Sequence, residues 1–432
     1  MLLDKLRSVV GAAHVLSGVE LSPFVVEGQT PTAAVFPGTI DEVVAVVREA
    51  AAAGAAVVPW GGGTAVSVGA QPSRAGIVLG LRRLARLLEH EPGDLTATVE
   101  AGLTLAALQS TLRGRGQWLS LDPAEPERAT VGGIVAANAA GARRHLYGTV
   151  RDLLIGITVV TAEGAVVRGG GKVVKNVAGY DLPKLFVGSR GTLGIIVDAT
   201  FKLRPAPDDE RLVAVRFDRL KDCGAAARSV LASDLIPNTL DIADATAAPA
   251  LGLPGDPALV VGFDGLREQV DWQVGELTSL VATLGGRDVT PLPSAAWSRL
   301  TTAARDAIAA PAAVMSLSVL PALVVETMEQ GAQAARQRGL TSAWAAHAGV
   351  GAVTGALLAE AEAAVVVAVL DEWRTIARGG GGHASLTWAS LAVKSQVPVW
   401  DDPGAAGRIM QRIKAQLDPG NVLNPGRFVA GI

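Results

Sequence analysis

Apolar and polar positions divide the chain into two patterned halves. In "TIDEVVAVVREAAAAG" valine and alanine recur at helical spacing; Thr39 and Glu42 form a capping box, and Gly54 stops the helix. "AAVVP" then reads as a short buried strand, "TATVEAG" as another strand and "LTLAALQSTLRGRG" as another helix. "LIGITVVTAEGAVVRG" alternates as a hairpin with Glu163-Gly164 at its turn. "IIVDATFKLRPAP" is a strand closed by prolines, and the stretch Pro205 to Asp209 marks a domain boundary.

Beyond that boundary the pattern restarts. "RLVAVRF", "NTLDIAD" and "ALVVGF" read as strands, "KDCGAAARSVLASD" and "LREQVDWQVGELTSLVATLGG" as helices. The arrangement predicts a compact sheet with helices on one face. "AVMSLSVLP", a helix from about Ala322 to Arg338, "LTSAWAAHAG" and the helix "LLAEAEAAVVVAVLDEWRTIARGG" follow, then a terminal helix and two Pro-Gly turns. Thr341 to Ala359 holds no Asp, Glu, Lys or Arg, but its Gly349, Gly351 and His347 suit a buried strand, a glycine loop and a helix start better than a membrane span. The fold class is α+β.

Composition narrows the function. The chain has 432 residues, 49% hydrophobic and 18% charged, enough for two or three domains. A net charge of −3 gives no reason to expect a nucleic-acid or anionic-membrane partner. The N-terminal Asp4, Lys5 and Arg7 interrupt any signal-peptide core, and the one cysteine, Cys223, can form neither an internal disulfide nor an iron–sulfur cluster. A reducing cytoplasmic setting is expected.

Glycine is concentrated in "VVPWGGGTAVSVGA", "VGGIVAANAAGARRHLYG", "RGGGKVVKNVAGYDL" and "VGSRGTLG". Backbone without side chains can bring several N–H groups to an anion. The dinucleotide fingerprint fails, because Val66 stands at its third glycine position, and no lysine completes a P-loop. A structural hairpin loop is the alternative for any one cluster. Several clusters together favour convergence on one elongated, charged ligand.

These segments, with "GGKVVKNVAGYDLPKLFVGSRGTLGIIVDATFKLRP" and "LDPGNVLNPGRF", resemble the vanillyl-alcohol-oxidase-type (PCMH-type) FAD-binding flavoproteins. Within them the chain most resembles the FAD-binding (E-type) subunit of glycolate oxidase. The resemblance implies a two-part FAD-binding domain, then an α+β cap or substrate domain with an antiparallel sheet, and a C-terminal tail returning toward the flavin. The corresponding bounds are an N-terminal helix and lead-in at 1–28, the FAD-binding domain at 29–206, the cap at 210–400 and the tail at 401–432. It implies that Pro59, Trp60, Gly61, Gly62, Gly63, Thr64 and Ala65 line the FAD diphosphate, with Thr130, Gly132, Gly133, Asn138 and Gly141 as a second wall. Ile196 would approach the adenine end, Asp122 and Pro123 would lie near the cofactor, and Asn424 and Arg427 would reach it from the tail. The first loop lacks the histidine through which many relatives attach flavin, which implies non-covalent FAD.

Oxidising a 2-hydroxy acid calls for a cation for the carboxylate and a base for the hydroxyl proton. Arg143 and Arg144 stand beside Gly141; a carboxylate fork and a solvent-facing pair are both open. His347 matches the first position of a family segment resembling H-x-G-D-G-N-x-H, which binds a divalent metal and supplies a base. Here that segment is "HAGVGAVTG", with the other ligands gone. His347 is therefore a catalytic candidate without a metal, or a hydrogen-bonded core residue, and His383 is at most a second ligand. Lys172, Lys175, Asn176, Tyr180 and Asp181 form a further polar cluster. Tyr180 and Asp181 read as a helix cap.

The resemblance implies an FAD-binding subunit of a glycolate or related 2-hydroxy-acid oxidase complex. A second flavoprotein subunit and an iron–sulfur subunit would be its partners, and any membrane contact would come through them. Two rivals are a stand-alone FAD-dependent hydroxy-acid or alcohol oxidoreductase and a catalytically silent structural flavoprotein.

Overall fold

A computed structural model describes residues 2–171, 180–357 and 361–432. Lys172, Lys175 and Asn176 lie outside the described residues. Local signals are realised closely in the first half. The helix Ile40–Ala52 is capped by Thr39, whose hydroxyl accepts from the Glu42 N–H at 3.1 Å. The Glu42 carboxylate reaches one residue further back than a capping box requires and accepts from the Gly38 N–H at 2.6 Å. The strand Ala56–Trp60 follows and runs parallel to Gly76–Gly80. These two join Ala33–Val35 and Val15–Leu16 in a four-stranded sheet.

A second, antiparallel five-stranded sheet carries the hairpin Leu154–Val160 and Val166–Gly170, with Ile195–Lys202 at its centre. One core joins both sheets, from Leu6 to Leu203, and also takes in Val422 and Leu423 of the tail. Tyr180 is exposed, and Asp181 pairs with Lys184 of the short helix Pro183–Phe186 rather than capping it.

The second half forms an eight-stranded antiparallel sheet. Its strands include Asp209–Arg216, Thr239–Ala243, Ala258–Gly265, Ala313–Ser318, Ser342–His347 and Ala352–Leu357. The expected helix start after Gly351 is instead that last strand: Ala352–Leu357 pairs with strands on both sides, so its apolar run is consumed by a buried ladder. Both faces of the sheet are covered, not one. Long helices such as Leu220–Leu231, Val324–Gln337 and Ala363–Gly379 pack one face through Leu240, Ile242, Trp344, Met328 and Trp373. The other face holds Leu212, Ala214, Val260, Ala343 and Ala345 against Trp297 and against Ala142 of the first domain.

Period-two alternation decides what the second face presents. Leu240 and Ile242 point to the long helices, so Asp241 points to the first domain. Trp344 and Ala346 do likewise, so His347 shares the face of Ala343 and Ala345. Asp241 and His347 are direct partners in the antiparallel register. Strand pairing alone thus sets an acid beside an imidazole on the face that meets the first domain.

Candidate functional site

The first domain, the tail and this sheet face enclose a cleft of about 390 Å³. Pro59, Gly61, Gly62, Gly63, Thr64 and Ala65 form one wall. Thr130, Gly133, Asn138 and Gly141 form the other, with Pro123 beside them. A side pocket of about 60 Å³ continues between Trp60, Gly61, Gly132, Gly133, Gly191 and Ile196. The two glycine segments and Ile196 are therefore brought together around adjoining spaces.

The walls also meet each other. A Cβ on Gly62 would stand 1.7 Å from the Arg128 carbonyl oxygen, so the opposing backbone alone excludes a side chain there. Gly133 differs: a Cβ would meet only the Thr130 hydroxyl, at 3.2 Å, and would otherwise stand in the cleft. Thr130 caps the helix Val131–Ala137, which ends at Asn138 in the left-handed region (φ 52).

The tail clamps the first glycine loop. The Arg427 guanidinium donates to the carbonyls of Val66, Val68 and Ala70. Lys394 donates to the Ser67 carbonyl at 2.6 Å while paired with Glu27 at 2.7 Å. Asn424 donates its backbone N–H to the Val57 carbonyl at 2.8 Å and its side-chain amide to the Arg190 carbonyl at 2.7 Å. The tail itself is pinned by Lys414, whose ammonium donates to Asp418 at 2.6 Å and to the carbonyls of Thr192 and Leu423, each at 2.8 Å.

Several polar groups here lack partners. The side-chain carbonyls of Asn138 and Asn424 are buried without a hydrogen bond. Among the described residues the N–H groups of Gly61, Gly62 and Gly63 donate to nothing. Buried polar groups normally find partners. A cradle with spare donors, spare acceptors and no side-chain bulk fits an elongated polar ligand.

At the sheet end stand His347 and Ser316, with Arg144 opposite. The His347 Nδ1–H donates to the Asp241 carboxylate at 2.7 Å. Burial opposes charge on the imidazole, but Asp241 outweighs it, and the histidine is held above its usual range. His347 thus has the hydrogen bond of a core residue and lines the cleft as well. His383 is exposed and lies three strands away across the sheet, about 14 Å at about 4.8 Å per strand. Among the described residues no group of three or more His, Cys, Asp and Glu converges to hold a metal ion.

Arg143 and Arg144 part company. Arg143 is buried, pairs with Glu210 at 2.9 Å and lies over the Trp297 ring at 4.0 Å, so its side chain braces the two domains and does not line the cleft. Tyr147 continues that brace, donating to Asp264 at 2.6 Å. Arg144, one residue on, faces the cleft. Asp122 is likewise beneath the cleft: its carboxylate accepts from the Arg143 N–H at 3.2 Å. Burial pushes its pKa up to about 7, against the pull of Arg143. Sequence reading missed Asp241 and Arg190. Only the strand parity of "NTLDIAD" could have pointed to Asp241.

Comparison with known proteins agrees with this architecture. A family model for an FAD binding domain matches residues 31–170, and one for the C-terminal domain of FAD linked oxidases matches 206–428. The chain is 27% identical to the glycolate oxidase subunit GlcD of Bacillus subtilis, over 93% of this chain and 89% of that one. It is 30% identical to a D-lactate dehydrogenase of Archaeoglobus fulgidus, over 91% and 90%. Substrate-bound p-cresol methylhydroxylase superposes with a TM-score of 0.78 at 20% identity, covering 100% of this chain and 96% of that one.

Proposed function

The chain belongs to the FAD-linked oxidases, and on that premise we propose that it oxidises small 2-hydroxy acids as the FAD-binding subunit of a complex. The observation that carries this reading is the opening of the Asp241–His347 pair onto the same cleft that the glycine walls line. Relatives named for glycolate and D-lactate support the substrate class.

The residues divide the work. Gly61 to Ala65 on one side, and Thr130, Gly133 and Asn138 on the other, would hold FAD, which when bound supplies a two-electron acceptor. Arg144 offers the substrate carboxylate a fork of donors. Asp241 occupies the His347 Nδ1–H, which leaves Nε2 to take the hydroxyl proton as the C–H electron pair departs. The imidazolium that forms is stabilised by the carboxylate behind it. Burial of the pair within the interdomain face limits competing water.

The flavin is held without a covalent bond in this reading. The glycine loop carries no histidine, and Cys223 is buried in the second domain, where burial pushes its thiol up to about 12. One cysteine cannot build an iron–sulfur cluster; in this reading a second flavoprotein subunit and an iron–sulfur subunit would take the electrons. Membrane contact would come through those partners; among the described residues no helix is long and apolar enough to cross a bilayer.

The test is turnover of glycolate and D-lactate with a dye acceptor, measured with and without the co-purified partners. Bleaching of bound FAD by either acid supports the reading. Full turnover by the lone chain makes it a stand-alone oxidoreductase, and no bleaching in the assembled complex makes it structural.

A further inference from the structure

Arg190 is held in an unfavourable backbone conformation with its charge unpaired among the described residues. It lies in "VGSRGTLG" at φ 56, between Gly188 at φ 78 and Gly191 at φ 70. Glycine adopts that region freely, whereas an arginine carries a steric cost there. The backbone leaves no alternative: the Arg190 N–H donates to the Ala136 carbonyl at 2.9 Å, and its own carbonyl accepts from Asn424 at 2.7 Å. A non-glycine residue kept under such strain points to work done by its side chain.

The side chain has no protein partner that would explain it. Among the described residues the guanidinium makes no hydrogen bond or ion pair, and its ring neighbour, Trp400, lies 5.6 Å away, near the outer limit of a cation–π contact. Burial pushes its pKa down to about 10, and the nearby charge acting on it is a second cation, Arg427. Three of the five Arg427 donors already bond loop carbonyls. The acid that acts on Arg427, Glu27, is already paired with Lys394, and among the described residues none acts on Arg190, so the Arg190 guanidinium calls for an anion.

Position says which anion. Arg190 lines both the main cleft and the side pocket, where the two meet. The side pocket is built from the first domain alone, from Pro59 and Trp60 to Ile196, and includes none of the second-domain residues that mark the substrate end. The unspent N–H groups of Gly61, Gly62 and Gly63 are on the same walls. We propose that Arg190 is the cation that recognises the diphosphate of FAD, closing from the tail side a cradle that the glycine loops otherwise form with backbone alone. This rests on the FAD reading of the cleft.

The test uses the full chain stripped of flavin, as parent, Arg190→Gly and Arg190→Lys. Binding is read by flavin fluorescence, with ADP and adenosine as competing probes, and apoprotein stability by thermal melting. A charge-assisted hydrogen bond of ordinary strength predicts FAD affinity about 10- to 100-fold weaker in Arg190→Gly. ADP competition should weaken with it, while adenosine, which lacks phosphate, stays within about twofold. Arg190→Lys, keeping the charge but not the fork, should fall between. The apoprotein of Arg190→Gly should melt no lower than the parent, because glycine relieves the strain. FAD affinity within about twofold of the parent overturns the assignment, as does equal weakening of ADP and adenosine. A lower melting temperature with unchanged FAD affinity would make Arg190 a structural contact to Trp400. A parent that takes up no FAD overturns the cofactor reading, and this assignment with it.

Discussion

Asp241 and His347 are cross-strand partners, and 2.7 Å separates the carboxylate from the imidazole Nδ1. Their pairing gives the histidine one tautomer and leaves Nε2 for the cleft. Replacing His347 by alanine should lower kcat/KM for the hydroxy acid by about 10²–10⁴-fold, the range of a positioned base. A base in the proposed role acts in its neutral form, and Asp241 raises the histidine above 6.5. In the parent, kcat/KM should therefore climb with pH through a value above 6.5. In Asp241→Asn that attraction is lost, so the acid limb should move to lower pH while the plateau falls. An unmoved limb would show that the pair does not govern the proton transfer.

Gly133 separates cofactor binding from folding. An added methyl meets the protein only at the Thr130 hydroxyl, at 3.2 Å, and otherwise enters the cleft. Alanine is also the better helix residue, by about 1 kcal/mol at most. Gly133→Ala should thus keep or raise the apoprotein melting temperature and weaken FAD binding. Gly62→Val cannot make that distinction. Its Cβ would stand 1.7 Å from a backbone oxygen, so the two loops must separate whether or not FAD is bound.

Asp122 ties stability to pH. Its pKa rises from 3.8 to about 7 on folding. The folded chain therefore holds a proton that the unfolded chain has released, and stability is greatest below the unfolded value. It should fall as pH rises through about 7. Asp122→Asn should flatten this dependence and stabilise the apoprotein at pH above it by a few kcal/mol at most, since each pH unit between the folded and unfolded values counts for about 1.4 kcal/mol. Urea melts between acid and mildly alkaline pH would read it.

Lys414 should be costly to lose alone. Its ammonium joins the fully buried Asp418 to two carbonyls, and Lys414→Met leaves that buried charge only the Val422 and Leu423 N–H groups. A loss of about 3–5 kcal/mol is expected. The double variant with Asp418→Asn should recover part of it, since no charge is left buried while the amide carbonyl still accepts from one of the tail N–H groups. Denaturant melts of the single and double variants measure this directly.

The glycine walls were legible because their signal is local: each segment announces spare backbone within a few residues of itself. The Asp241–His347 pair was not, because 106 residues separate its members and only the order and register of strands bring them together. Each half was present in the alternation, as a polar position in an apolar strand. Arg143 and Arg144 show a finer limit. Adjacent in "GARRH", they diverge because Arg143 is drawn between Glu210 and Trp297, which belong to the other domain. Apolar content also misled after Gly351, where a continuous apolar run fits a buried strand and a helix equally well until its neighbours in the sheet are known.

The clamp that Asn424 and Arg427 place on the glycine loop has a consequence for biosynthesis. The loop leaves the ribosome within the first seventy residues, yet the groups that fix its carbonyls are translated after the whole second domain. A nascent chain halted before residue 422 would lack both the loop's braces and the tail's share of the first-domain core, so the cleft is completed only at the end of translation. A message truncated just before the tail would yield protein that is nearly full length and unable to retain its cofactor.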